Sequence, residues 1–130
     1  MKKILIVTAE YYQDIADGLK NSALENLVNC EIFNIRAAGI FEIPIIISKN
    51  IDSFDGFVAL GCVIKGETPH FDFISKSVMS GIMNLSINHK KPIGNGILTC
   101  LNKEQAIARL NKGAEASKAV INVLTNEPTK

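Results

Sequence analysis

Tryptophan is absent from this chain of 130 residues, which carries only three cysteines, four prolines and two tyrosines. Cys30, Cys62 and Cys100 are odd in number and lack the Cys-x-x-Cys spacing, which excludes a disulfide framework and a zinc knuckle. Three small buried thiols are the expectation. An excess of either charge is also missing: 14 Lys+Arg stand against 13 Asp+Glu, a net charge of +1, too balanced for a general nucleic-acid binder. No stretch approaches the roughly 20 apolar residues of a membrane span. The charged start Met1–Lys3 leads into an apolar run that ends at Thr8-Ala9-Glu10, short of the roughly 7–15 residues of a secretory signal core. Disorder is excluded, because 47% of the residues are hydrophobic and 21% charged. These absences leave a cytosolic protein that forms one domain over residues 1–130.

The apolar residues that are present change period along the chain. Lys3–Thr8 is a short β-branched run of the kind buried on both faces of a sheet. Gln13–Leu27 switches to helical spacing, with Ile15, Leu19, Ala23 and Leu27 on one face. Cys30–Ile35, Gly56–Ile64 and Ile93–Thr99 read as further strands. Phe71–Asn88, Lys103–Leu110 and Lys112–Leu124 read as helices, with Asn102 as an N-cap. Ile43–Ile51 is rich in isoleucine yet carries Pro44 where a helix start tolerates it, so a buried helix is expected there. Alternating strands and helices imply parallel β-α-β units in three layers. Met79, Met83 and Ile87 add a second apolar stripe to the Phe71–Asn88 helix, which predicts a second neighbour and hence a homo-oligomer.

Ligands of open α/β sheets gather at the carboxyl ends of the strands. Four segments fall there: Glu10–Tyr12, Ala37–Glu42, Lys65–His70 and the residues from Asn102 onward. Gly66-Glu67-Thr68-Pro69-His70 runs into a helix start, whose free N–H groups favour an anion. His70 has the side chain best matched to proton transfer near neutral pH, against the commoner structural histidine. His89, in a polar turn, reads as solvated. Arg109 can fork onto a phosphate, although a lone helical arginine is usually surface. Tyr11 can stack on a planar ring or simply pack. The residues thus describe a small-molecule site with an anion pocket, an aromatic and a histidine, and leave the reaction open.

Two stretches are more specific, Gly39-Ile40-Phe41-Glu42-Ile43-Pro44 and Ala59-Leu60-Gly61-Cys62-Val63-Ile64-Lys65-Gly66-Glu67-Thr68-Pro69-His70-Phe71-Asp72. With Gly96–Thr99, Gln105–Arg109 and Lys112–Ala116, they make the chain resemble the 6,7-dimethyl-8-ribityllumazine synthase family along nearly its whole length. The resemblance implies a flavodoxin-like αβα sandwich on a four-stranded parallel sheet, assembled as pentamers or multiples of pentamers, with riboflavin synthase as a further partner. It implies condensation of 5-amino-6-(D-ribitylamino)uracil with 3,4-dihydroxy-2-butanone 4-phosphate, without metal or cofactor. By resemblance, Tyr11 stacks on the pyrimidine. Gly39, Ile40, Phe41 and Glu42 hold the ring and the ribityl chain, and the strand end Cys62-Val63-Ile64 reads the uracil edge. Glu67 and Thr68 form the phosphate loop, and His70 transfers protons. Asn95, Arg109, Lys112 and Glu115 complete the set, with Arg109 reaching the phosphate from the neighbouring subunit.

The chain also departs from the family pattern. Tyr12 stands where asparagine often follows the aromatic, Ile40 is larger than the usual alanine or serine, and Asn95 replaces a frequent phenylalanine. The Leu110-Asn111 connection is shorter than in members with a glycine-rich stretch there, which argues against an icosahedral shell. Two rival readings remain beside the enzyme: a flavin- or lumazine-binding protein without turnover, and a purely structural assembly subunit. A flavodoxin-like electron carrier is disfavoured, because Ala9–Gln13 lacks the small and hydroxyl residues that cradle phosphate.

Overall fold

Four apolar segments pair side by side into one parallel sheet in the computed structural model, which describes Met1–Lys130 throughout. The strands are β1 (Lys2–Ala9), β2 (Cys30–Ala37), β3 (Gly56–Ile64) and β4 (Ile93–Cys100), in the order β2-β1-β3-β4. The central strands read as continuous apolar runs because they are buried on both faces. Along β1, Ile4 and Ile6 face one core, while Leu5 and Val7 face the other. Along β3, Val58, Leu60 and Cys62 alternate in the same way with Phe57 and Ala59.

Helices cover both faces. α1 (Gln13–Leu24) and α5 (Lys112–Thr125) close the first core through Ile15, Leu19, Ala116 and Val120. α2 (Ile43–Lys49) and α3 (His70–His89) close the second through Ile43, Ile47, Val78 and Ile82. The arrangement is a flavodoxin-like three-layer αβα sandwich. Its layers sit close because two glycines leave room: a Cβ on Gly94 would strike the Ala116 carbonyl, and one on Gly113 the Leu19 carbonyl. No helix is long and apolar enough to cross a membrane.

Several boundaries differ from the sequence expectation. The first helix ends at Leu24 rather than Leu27, and the chain turns through Asn29, which adopts φ 62°. Asparagine tolerates that left-handed conformation, so the turn delivers Leu27 to the core without helix. The helix expected over Ile43–Ile51 is present as a 3-10 turn, Ile40–Glu42, running into α2, with Ile51 buried in the turn that follows. The helix expected over Lys103–Leu110 stops at Ile107, as α4 (Lys103–Ile107). Beyond it, Arg109, Lys112 and Gly113 donate their N–H groups to carbonyls three residues back, a tight turn that sets Gly113 against α1. The methionine stripe of α3 divides: Met79 packs inward, whereas Met83 and Ile87 are exposed, as is Phe73.

Candidate active site

The chain leaves β1 for the edge strand β2 and returns to β3 on the opposite side. The crevice between the carboxyl ends of β1 and β3 is therefore the topological switch point of the sheet, where ligands of such folds bind. A cleft of about 330 Å3 occupies it. Tyr11 and Tyr12 wall it from the end of β1, Gly39, Ile40 and Phe41 from the segment after β2, and Cys62, Val63 and Ile64 from the end of β3. His70 and Ile74 enter from the first turn of α3, four residues apart and so on one helix face.

Each wall has a local cause. Ile40 is buried because it fills the space above Gly61, with Cγ2 2.9 Å from where a Cβ would stand. Glu42 lies beside this cleft, not in its lining. Its Oε1 is 3.4 Å from the Cβ position of Gly39, and its side chain borders the adjoining groove between α2 and α3 together with Phe41 and Pro44. The Lys65 N–H donates to the Cys100 carbonyl at 2.9 Å, which anchors the start of the loop before α3. Glu67 and Thr68 are exposed on that loop and outside the lining, yet the Thr68 hydroxyl accepts from the His70 N–H at 3.4 Å.

The tyrosines differ in setting. Tyr11 is 77% exposed, whereas Tyr12 packs against the core of the α1/α5 face. Burial raises the Tyr12 phenol above its ordinary range, and the neighbouring Tyr11 and Cys62 add to this while Lys103 opposes it. Burial, with Cys100 alongside, pushes the Cys62 thiol up to about 12. Lys103 also pairs with Asp14 at 3.0 Å, tying the starts of α4 and α1 together above Tyr12. That hydrogen bond holds the Asp14 carboxyl below its usual range. At the outer rim, Arg36 Nη1 lies 3.2 Å from Glu10 Oε1.

The remaining predicted residues lie elsewhere. Asn95, Arg109, Lys112 and Glu115 line a second cleft of about 430 Å3 along β4, and none of them borders the first. Asn95 is engaged within its own chain: its amide donates to Met79 Sδ at 3.2 Å and its Oδ1 accepts from the Ile97 N–H at 3.1 Å. Arg109 Nη1 donates to the Gln105 carbonyl at 2.9 Å. The first cleft is apolar and aromatic with one imidazole, suited to a planar ring. The second gathers two cations, a carboxylate and two amides, suited to an anion. Ile74 reads from the sequence as a core position and packs on the second core, and its place in the cleft was signalled only by its helical register with His70. Gln105 was passed over, although Asn102 three residues before it is the signature of a capping box.

A family profile described as 6,7-dimethyl-8-ribityllumazine synthase matches residues 1–127. Proteins named 6,7-dimethyl-8-ribityllumazine synthase share this sequence closely. The one from Corynebacterium kroppenstedtii is 39% identical over 92% of this chain and 80% of its own. That from Cutibacterium acnes is 38% identical over 95% of this chain and 80% of its own. That from Bdellovibrio bacteriovorus is 40% identical over 94% and 73%. The chain belongs to the 6,7-dimethyl-8-ribityllumazine synthase family of enzymes.

Proposed function

We propose that this protein condenses 5-amino-6-(D-ribitylamino)uracil with 3,4-dihydroxy-2-butanone 4-phosphate, releasing phosphate and water, in the cytoplasm and as a homopentamer or a multiple of pentamers. The observation that carries this proposal is the division of the chemistry between two clefts on one chain. An apolar, aromatic cleft with His70 lies at the ends of β1 and β3, and a polar cleft with Arg109, Lys112 and Glu115 lies along the edge strand β4. A ring of subunits brings the second cleft of one chain to the first cleft of the next. The exposed Phe41, Phe73 and Met83 supply apolar surface for that contact.

Within such a joint site the residues take the roles that the family resemblance implies. Tyr11 stacks on the pyrimidine, and the backbone of Cys62–Ile64 reads the uracil edge. Phe41 and Glu42 flank the ribityl chain. The amine attacks the ketone and the adduct loses water to give an imine, phosphate leaves, and the ring closes with loss of a second water. Holding both substrates in one cleft makes these steps effectively intramolecular. The backbone N–H groups of the Glu67-Thr68 loop and of the start of α3, together with Arg109 from the neighbour, favour the departing dianion. His70 moves protons between nitrogen and oxygen.

The test is a turnover assay with both substrates, following the fluorescence of the lumazine product. Product above the uncatalysed background is expected. A folded, oligomeric sample that binds lumazine or riboflavin and forms no product overturns the assignment in favour of a binding protein.

A further inference from the structure

Arg109 sits just past the end of α4, a helix of five residues, too short to hold itself in place. Its stability comes from a reciprocal set of hydrogen bonds. The Asn102 side chain accepts from the Gln105 N–H at 2.9 Å, and the Gln105 side chain reaches back to accept from the Leu101 N–H at 2.8 Å. Ala106, fully buried in the core beneath, fixes the roll of the turn. The carbonyl of the same Gln105 then accepts from Arg109 Nη1 at 2.9 Å. One residue therefore closes the start of the helix with its side chain and holds the guanidinium with its backbone. A guanidinium has five N–H donors, so this tie leaves most of the fork open toward the second cleft, where Arg109 lies with Lys112.

We infer that Gln105, with Asn102, is the positioning residue of the phosphate-binding arginine: the side-chain bonds that close α4 hold the Gln105 carbonyl where it sets the Arg109 guanidinium for the substrate phosphate. This rests on Arg109 serving that phosphate, as proposed above. An exposed arginine loses rotamer freedom whenever it binds. Part of that loss has already been taken in the free protein, because the fork is held before the ligand arrives. Gln105 itself touches no reacting atom. Its contribution appears in affinity for the phosphorylated substrate and leaves affinity for the pyrimidine unchanged.

The experiment measures kcat and both KM values for the assembled protein, together with inhibition by inorganic phosphate. Gln105→Ala and Asn102→Ala are each expected to raise KM for the phosphorylated ketone and the inhibition constant of phosphate, by about three- to tenfold. KM for the pyrimidine stays fixed. Gln105→Glu and Asn102→Asp keep the accepting oxygens and restore wild-type values. Arg109→Ala combined with Gln105→Ala is no worse than Arg109→Ala alone, because the two act as a unit. Should Gln105→Ala fail to fold, the Asn102 pair of variants gives the same comparison. Three results overturn the inference. If Arg109→Ala weakens phosphate binding and the Gln105 and Asn102 variants do not, positioning is wrong and the role of Arg109 stands. If both KM values rise together, the bonds are merely structural. If Arg109→Ala itself leaves phosphate binding unchanged, the assignment of Arg109 fails and this one with it.

Discussion

The rings of Tyr11 and Tyr12 meet edge to face, with centroids 4.9 Å apart and planes inclined at 78°. Tyr12 packs on the core, and Tyr11 stands out beside the cleft with most of its surface free. That contact braces an otherwise exposed ring, so in the proposed site Tyr11 is taken as the stacking partner and Tyr12 as its support. Tyr11→Ala is expected to weaken binding of the pyrimidine by roughly five- to 150-fold, the range of about 1–3 kcal/mol for stacking on one base. Tyr12→Phe keeps the ring pair and stays near wild type. Fluorescence titration with the lumazine product checks both, and a Tyr11→Ala variant that binds like wild type would overturn the assignment.

His70 opens α3 at the cleft, directly after a loop whose Thr68 hydroxyl accepts its N–H. Its expected part is proton transfer rather than binding. His70→Ala should lower kcat by about 10²–10⁴-fold, with modest change in either KM. Steady-state kinetics with each substrate varied in turn decides this. A variant with unchanged kcat would remove His70 from the chemistry.

Strand positions were legible because β1 and β3 are buried on both faces and so appear as unbroken apolar runs, Ile4–Val7 and Phe57–Cys62. The helix ends were less so. Leu27 keeps the helical spacing of Ile15, Leu19 and Ala23, yet it reaches the core from a turn, and a hydrophobic period cannot tell those two routes apart. Leu110 likewise continues the register of α4, but Gly113 has to meet the Leu19 carbonyl, and that tertiary demand tightens the chain after Ile107. For the candidate site, residue types and spacing named His70 and Arg109 together, and the family resemblance alone set Arg109 on a neighbouring subunit. In sequence His70 reads as a helix-mouth residue and Arg109 as a lone arginine on a short helix. Within one chain the strand order, with β4 at the edge, puts them in different clefts.

Cys62 borders the cleft but lies buried beside Cys100, and both effects push its thiol up to about 12 from 9.0. A thiol reacts as the thiolate, so Cys62 should resist iodoacetamide at pH 8, where the half-buried Cys30 is the first to be labelled. The shift also links to stability. The folded chain keeps a proton that the unfolded chain releases near pH 9, so its contribution is whole below that pH and is lost as pH rises toward 12. Cys62→Ala should therefore flatten the fall of stability with pH across that window. Mass-spectrometric labelling and urea melts at several pH values read the two effects.

Two glycines separate packing from propensity. Alanine is the better helix former by about 1 kcal/mol, which alone would favour Gly113→Ala. The added methyl would meet the Leu19 carbonyl and the Ala23 N–H of α1, backbone atoms that cannot move aside singly. Overpacking of this kind costs about 1–3 kcal/mol, so the variant should be less stable despite its propensity. Gly66→Ala is the contrast: nothing lies within 4 Å of its Cβ position, and its φ is not positive. That change should be neutral or stabilising by about 0.4–1 kcal/mol through the unfolded chain. Denaturant midpoints at unchanged slope measure both.

Subunit mixing gives the most direct check on a site shared between chains. His70→Ala leaves the anion cleft intact, and Arg109→Ala leaves the aromatic cleft intact, because the two residues line different cavities of one chain. Each variant alone is expected to be nearly inactive, since every joint site carries the defect. Dissociating an equal mixture and reassembling it puts the two kinds of chain next to one another at random. In a head-to-tail ring, about a quarter of the junctions then pair a wild-type His70 with a wild-type Arg109. Activity should rise toward about a quarter of the wild-type value, as such a ring requires. It should stay flat when the two variants are mixed without dissociation. If both residues served one site within a single chain, no mixture could restore it, and activity would remain at the level of the separate variants.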